Sequence, residues 1–164
     1  MHVKIEREVG RALTERGWTL AVAESCTGGL IGHRLTSISG CSKYFLGGII
    51  AYANEVKTRE LGIPAGLLRR SGAVSAVVAY GMAVGVRRKF GSDVGLGVTG
   101  IAGPEGGTRK KPVGLVYIGV SCERCTVVRR FKFSGARSRI KTLSSEAALK
   151  MLRECFGEKG ERHG

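Results

Sequence analysis

Ser25 stands in the run Ala23-Glu24-Ser25-Cys26-Thr27-Gly28-Gly29, where an apolar stretch gives way to small polar residues and glycines. A serine becomes a useful nucleophile only when a base takes its proton. The chain has 3 histidines, of which His2 and His163 lie at its ends, so a Ser-His-Asp arrangement would have to combine His33 with Asp93, the one aspartate. A zinc site would have to draw on the same few histidines. Lysine is the remaining base, and Ser-Lys pairs are a known variant of triad logic. Lys57 follows Tyr52, Asn54 and Glu55 shortly after another apolar run, so Tyr52 and Lys57 could converge near a strand end. Each residue also has a plainer explanation, and from the local pattern alone the plainer one is commoner. Ser25 suits a helix N-cap, and Lys57, flanked by Glu55 and Glu60, suits a solvated helix face.

Two further patterns bear on chemistry. The stretch from Thr99 to Thr108 carries four glycines and is followed by the basic cluster Arg109-Lys110-Lys111. Such a loop can bring backbone N–H groups close to a phosphate or an amide, although it matches neither the Walker A pattern nor GxGxxG. Cys122 and Cys125 form a lone CxxC. No second pair completes a zinc site, and the motif falls between two apparent strands and not at a helix start, so a purely structural role is expected. Cys26, beside Ser25, reads either as a nucleophile itself or as a small buried hydrophobe.

Composition narrows the classes. With 164 residues, 43% of them hydrophobic and 24% charged, the chain fits one soluble domain. The formal net charge is +14, which favours phosphates, acidic small molecules or nucleic acid without choosing among them. Aromatic residues are only 6%, thin for stacking on single strands, and no nucleic-acid motif accompanies the charge; nucleic acid is not expected as a partner. Five cysteines, an odd number, together with no evident leader segment, point to a reducing, cytoplasmic setting. No apolar stretch is long enough to span a membrane, so no membrane partner is expected.

The elements that would position these residues follow from periodicity. Ile5, Val9 and Leu13 mark a helix that Gly17 can stop. Residues 19–23 suit a buried strand, with a helix from Leu30 to Leu35 after the Ser25 turn. Residues 45–53 suit a second strand, with Asn54 as N-cap of a helix over 55–61, and Gly62-Ile63-Pro64 ends it. Ser75 can cap a helix over 76–90, and residues 94–98 form a third strand. Residues 113–121 and 126–133 read as a hairpin. Ile140, Leu143, Ala147, Met151 and Cys155 trace a final helix stripe, and 157–164 is expected to be a frayed tail. Helices alternating with strands and then a hairpin predict a mixed sheet of about five strands, covered by helices on both faces, in a single domain over 1–164.

Taken in series, the runs 23–29, Gly48 to Lys57, Gly72-Ala73-Val74-Ser75, Thr99 to Gly107 and Lys111-Pro112-Val113-Gly114 resemble the CinA C-terminal domain family, from about Val9 to Phe156. The resemblance implies a three-layer α/β/α sandwich. It also implies an amidohydrolase that converts nicotinamide mononucleotide to nicotinate mononucleotide and ammonia through a serine acyl-enzyme, with no cofactor or metal, and with the nucleotide substrate and a second copy in a homodimer as its partners. On this resemblance the catalytic residues are Ser25, Tyr52 and Lys57, with Tyr52 bridging or orienting the pair. Substrate contacts fall on Cys26, Thr27, Gly28, Gly29, Thr99, Gly100, Ile101, Ala102, Gly103 and Arg137, with oxyanion N–H groups drawn from 26–29 or 100–103. Two positions depart from the usual pattern: Ala53 replaces a frequent serine, and Lys141 stands where a second arginine is common. A non-catalytic nucleotide-binding module of the same fold is the alternative.

Overall fold

A computed structural model describes residues 4–157. Six helices and five strands follow in the order α1 (Ile5–Arg16), β1 (Leu20–Glu24), α2 (Leu30–Thr36), β2 (Phe45–Ile50), α3 (Asn54–Leu61), α4 (Ala65–Ser71), α5 (Ala76–Phe90), β3 (Val94–Gly100), β4 (Leu115–Ser121), β5 (Thr126–Lys132) and α6 (Arg137–Gly157). The sheet order is β2-β1-β3-β4-β5. β2, β1 and β3 run parallel, whereas β4 and β5 add antiparallel to the β3 edge. The expected three-layer α/β/α sandwich with a mixed five-stranded sheet is therefore the observed fold.

Alternation along the strands splits the core in two. Leu20 and Val22 of β1 and Val94, Leu96 and Val98 of β3 face one side, where they pack with α1, α2 and α6 through Leu13, Ile31, Leu35 and Leu149. Ala21 and Ala23 face the other side, with Leu61, Ile63, Leu68, Met82 and Val86 from α3, α4 and α5 and their connections. On that side the sheet is floored with glycine, and α5 lies directly on it. A Cβ at Gly95 would sit 2.1 Å from the Ala83 carbonyl oxygen, and one at Gly97 would sit 2.6 Å from the Ala83 nitrogen. Close backbone approach, and not loop flexibility, accounts for these strand glycines.

Several boundaries differ from the sequence expectation. Ala53, extended at φ −77° and ψ 151°, is the N-cap of α3, so Asn54 is already helical. Thr99 and Gly100 complete β3 and do not belong to the glycine-rich loop. α4 was not expected, because its seven residues are too short to display a period. On α6, Ile140 and Met151 are buried as expected, but Leu143, Ala147 and Cys155 are only half-buried, and Ser144, Ala148, Leu152 and Phe156 fill the inner face. Gly157 ends that helix, and the rest of the tail expected over 157–164 lies outside the described residues. No helix among them is long and apolar enough to cross a membrane.

Candidate active site

The C-terminal ends of β1, β2 and β3 converge, the usual place for a site in an open α/β sheet. The Ser25 N–H donates to the Val98 carbonyl at 3.0 Å, and the Ala51 N–H donates to the Glu24 carbonyl at 2.7 Å. These two bonds continue the ladder one residue beyond the strands and hold Ser25 and Ala51 side by side. The chain then turns tightly through Gly28 (φ 59°) and Gly29 (φ 97°), left-handed conformations that glycine adopts without a Cβ penalty, and enters α2.

α3 returns over this junction and delivers Lys57. Its ammonium nitrogen lies 3.1 Å from Ser25 Oγ, 2.7 Å from the Ala51 carbonyl oxygen and 3.0 Å from the Tyr52 carbonyl oxygen. Lys57 is 1% exposed and Ser25 8%. No carboxylate among the described residues pairs with Lys57, and burial lowers its pKa from the ordinary lysine range. Burial favours the neutral amine, and the same three oxygens would also accept from an ammonium. In the neutral form, the two carbonyl oxygens can only accept, and they use the two N–H bonds of an –NH₂ group, which leaves the lone pair for the Ser25 hydroxyl. The plainer expectation of a solvated helix lysine is thus overturned, and the pairing of Ser25 with Lys57 stands in the structure.

Tyr52 takes a different place from the one expected. Its backbone carbonyl holds Lys57, but its ring is 59% exposed and its hydroxyl accepts a hydrogen bond from Arg137 at 2.9 Å. Arg137 also donates to the Gly103 carbonyl at 2.7 Å. The Tyr52 side chain therefore does not bridge Ser25 and Lys57. It joins Arg137 and the glycine-rich loop as a clamp at the mouth. Beside it, Lys141 carries its ammonium over the Ser25 turn, 3.5 Å from where a Cβ on Gly28 would be. A hollow of about 570 Å³ opens there, lined by Leu30, Arg137, Ser138 and Lys141 among others.

The turn after Ser25 is less open to a ligand than its glycines suggest. The Gly28 N–H returns to the Ser25 carbonyl at 3.1 Å. The buried Glu24 carboxylate accepts the N–H groups of Gly29 (3.1 Å), Ile31 (3.1 Å) and Gly32 (2.8 Å). The protein's own anion thus occupies the α2 N-terminus, which removes Gly28 and Gly29 as oxyanion donors. Among the described residues, the N–H groups of Cys26, Thr27, Ala102 and Gly103 make no backbone hydrogen bond to another residue. Thr27 is fully buried and its hydroxyl has no partner. Thr99 is spent structurally, its hydroxyl donating to the Ala73 carbonyl at 2.8 Å. Ile101 closes the loop base by exchanging bonds with Leu115 and Gly114. Cys26 is buried against Gly100, and burial pushes its thiol up to about 12, so it stays protonated and non-nucleophilic at neutral pH.

Glu24 is the residue holding this turn that local reasoning missed. Its only sequence signal is an acidic residue one position before the turn, within reach of the following helix start, a weak form of N-terminal capping. At the far end of the sheet, Asp93 accepts from the Thr19 N–H and hydroxyl, while His33 lies on α2, so the two do not form a triad.

Against known proteins, residues 2–156 match the family model described as the CinA C-terminal domain. The chain is 54% identical over 145 residues to a CinA-like protein of Desulfotalea psychrophila, covering 88% of this chain and 35% of that protein. It is 50% identical over 149 residues to a CinA-like protein of Geobacter sulfurreducens, covering 91% and 36%. The chain thus spans about a third of the length of these curated relatives. Among solved structures, the competence/damage inducible protein CihA from Agrobacterium tumefaciens superposes with a TM-score of 0.89 at 34% identity, covering 96% of this chain and 100% of that one. A CinA superfamily protein from Klebsiella pneumoniae gives 0.91 at 29% identity, covering 94% and 97%.

Proposed function

The chain belongs to the CinA C-terminal domain family, and on that premise we propose that it hydrolyses the carboxamide of nicotinamide mononucleotide through an ester formed on Ser25. The observation that carries this reading is the buried Lys57 amine, 3.1 Å from Ser25 Oγ and otherwise bonded only to two carbonyls. Burial favours the uncharged amine, so Lys57 serves as the base that a histidine supplies elsewhere.

Lys57 takes the Ser25 proton as Oγ attacks the amide carbon. Charge develops on the carbonyl oxygen, and the N–H groups of Cys26, Thr27, Ala102 and Gly103 are the candidate donors for it. The tetrahedral species collapses, and Lys57 returns its proton to the leaving nitrogen, which departs as ammonia. A water then enters, Lys57 takes a proton from it, and its oxygen attacks the ester carbon. Ser25 recovers a proton and nicotinate mononucleotide leaves. Arg137 and Lys141 border the hollow beside this turn and offer the cationic partners a phosphate requires. Tyr52 holds Arg137 in place.

The test is to incubate the full chain with nicotinamide mononucleotide and measure ammonia and the acid product together, then to quench in acid and look for the nicotinate mononucleotide ester on the Ser25 peptide. Ammonia release with the adduct on Ser25 supports the reading. Absence of ammonia overturns the deamidase, and ammonia release with an identical adduct on another residue overturns the serine route. Binding of the nucleotide without turnover identifies a binding module instead.

A further inference from the structure

The hairpin at the opposite end of the sheet carries chemistry that the Ser25 site does not use. β4 and β5 pair in register up to Ser121 opposite Thr126, and the next pair in that register is Cys122 opposite Cys125. The Cys122 N–H donates to the Cys125 carbonyl at 2.9 Å, which closes the hairpin. Directly opposed residues of antiparallel strands have Cα atoms about 4.5–5.5 Å apart, inside the window for a disulfide. The two sulfurs lie 3.5 Å apart. Cys125 is exposed and Cys122 half-exposed, so a reagent reaches the pair without unfolding. Beside it lies a hollow of about 600 Å³ lined by Trp18, Arg87, Asp93, Cys122, Glu123 and Arg124, among others, large enough for a small reagent.

We propose that Cys122 and Cys125 form a redox-active dithiol whose oxidant is a low-molecular-weight disulfide. The Cys125 thiolate, the more exposed of the two, attacks one sulfur of the reagent. That S–S bond breaks, a mixed disulfide forms on Cys125, and the first reagent thiol leaves with the proton that Cys125 gave up. The Cys122 sulfur then attacks the Cys125 sulfur and expels the second reagent thiol, which takes the Cys122 proton. Two electrons pass from the protein dithiol to the reagent, which ends as two thiols. Cys155, on α6, is half-buried, and burial pushes its thiol's pKa up, which disfavours its thiolate as a competing nucleophile. β1, five residues long, separates this hollow from Ser25, roughly 16 Å at strand rise, so the pair cycles without entering the other site.

The experiment treats the full chain with glutathione disulfide, blocks remaining thiols in acid and reads intact mass and peptide maps. Expected is the loss of two hydrogens with an internal link between 122 and 125, reversed by dithiothreitol and unchanged in Cys155→Ser. Cys122→Ser should retain one glutathione on Cys125, because no partner remains to release it. Folding should favour the linked form at least about tenfold over the urea-unfolded chain, since the hairpin holds the sulfurs together. A link from Cys125 to Cys155, a folded chain no more readily oxidised than the unfolded one, or a Cys122→Ser variant left unmodified at Cys125 each overturns the proposal.

Discussion

Ser25–Lys57 and Cys122–Cys125 are both close pairs of side chains, 3.1 and 3.5 Å apart, at opposite ends of one sheet, and burial separates their chemistry. Lys57 and Cys26 sharpen the contrast, because both are buried at the same end. Removing water favours whichever protonation state is uncharged. For Lys57 the uncharged state is the amine, a base. For Cys26 it is the thiol, which is inert, with a pKa raised to about 12. The same desolvation therefore activates the lysine and silences the cysteine beside it, while the hairpin thiols, one exposed and one half-exposed, keep access to reagents.

The largest expected effect is at Ser25. Ser25→Ala should lower turnover of nicotinamide mononucleotide by at least about a thousand-fold with the circular dichroism spectrum unchanged, and an active alanine variant would end the serine mechanism. Lys57→Arg should lose at least about a hundred-fold, because a guanidinium keeps its charge and offers no lone pair. In the parent, turnover should climb with pH as Lys57 deprotonates, with an apparent pKa below the ordinary ~10.4. The linkage has a definite sign. A lysine with a depressed folded pKa costs stability below that pKa, and the cost is relieved as pH rises toward the unfolded value. The stability of the parent relative to Lys57→Met should thus increase on going from neutral pH toward ~10.4, as measured by urea unfolding.

Glu24→Ala should come next. It strands three N–H donors at the start of α2, costing about 2 kcal/mol in urea unfolding, and it should also reduce turnover by loosening the Ser25 turn. Unaltered stability would show that water replaces the carboxylate there. Cys26→Ala should cost less than about tenfold in turnover, with a cavity penalty of about 1 kcal/mol; a loss as deep as that of Ser25→Ala would return the nucleophile to the cysteine. The smallest effect belongs to the far end. Cys122→Ser with Cys125→Ser should leave turnover unchanged, since sites that share no partner act additively. A large loss would mean that the two ends of the sheet are coupled.

Much of this molecule is legible along the chain, because period and punctuation are local properties. The stripe of Ile5, Val9 and Leu13, the stop at Gly17, the run Ala76–Phe90 and the hairpin all follow from spacing and turn residues, and they are observed as such. The series of motifs identified the family, and with it Ser25 and Lys57 as a pair. Other features needed three dimensions. Nothing near Lys57 in sequence says that α3 folds back over the β1–β2 junction to bury its amine against two carbonyls. The Glu24 carboxylate fills the α2 N-terminus because β1 ends pointing at it, so the glycines that read as an anion cradle are already occupied. Tyr52 meets Arg137 from 85 residues away, a contact that no window of sequence contains. Secondary structure and residue chemistry are written locally. Burial, which decides whether a lysine is a base and a cysteine is inert, belongs to the packing of the whole sheet.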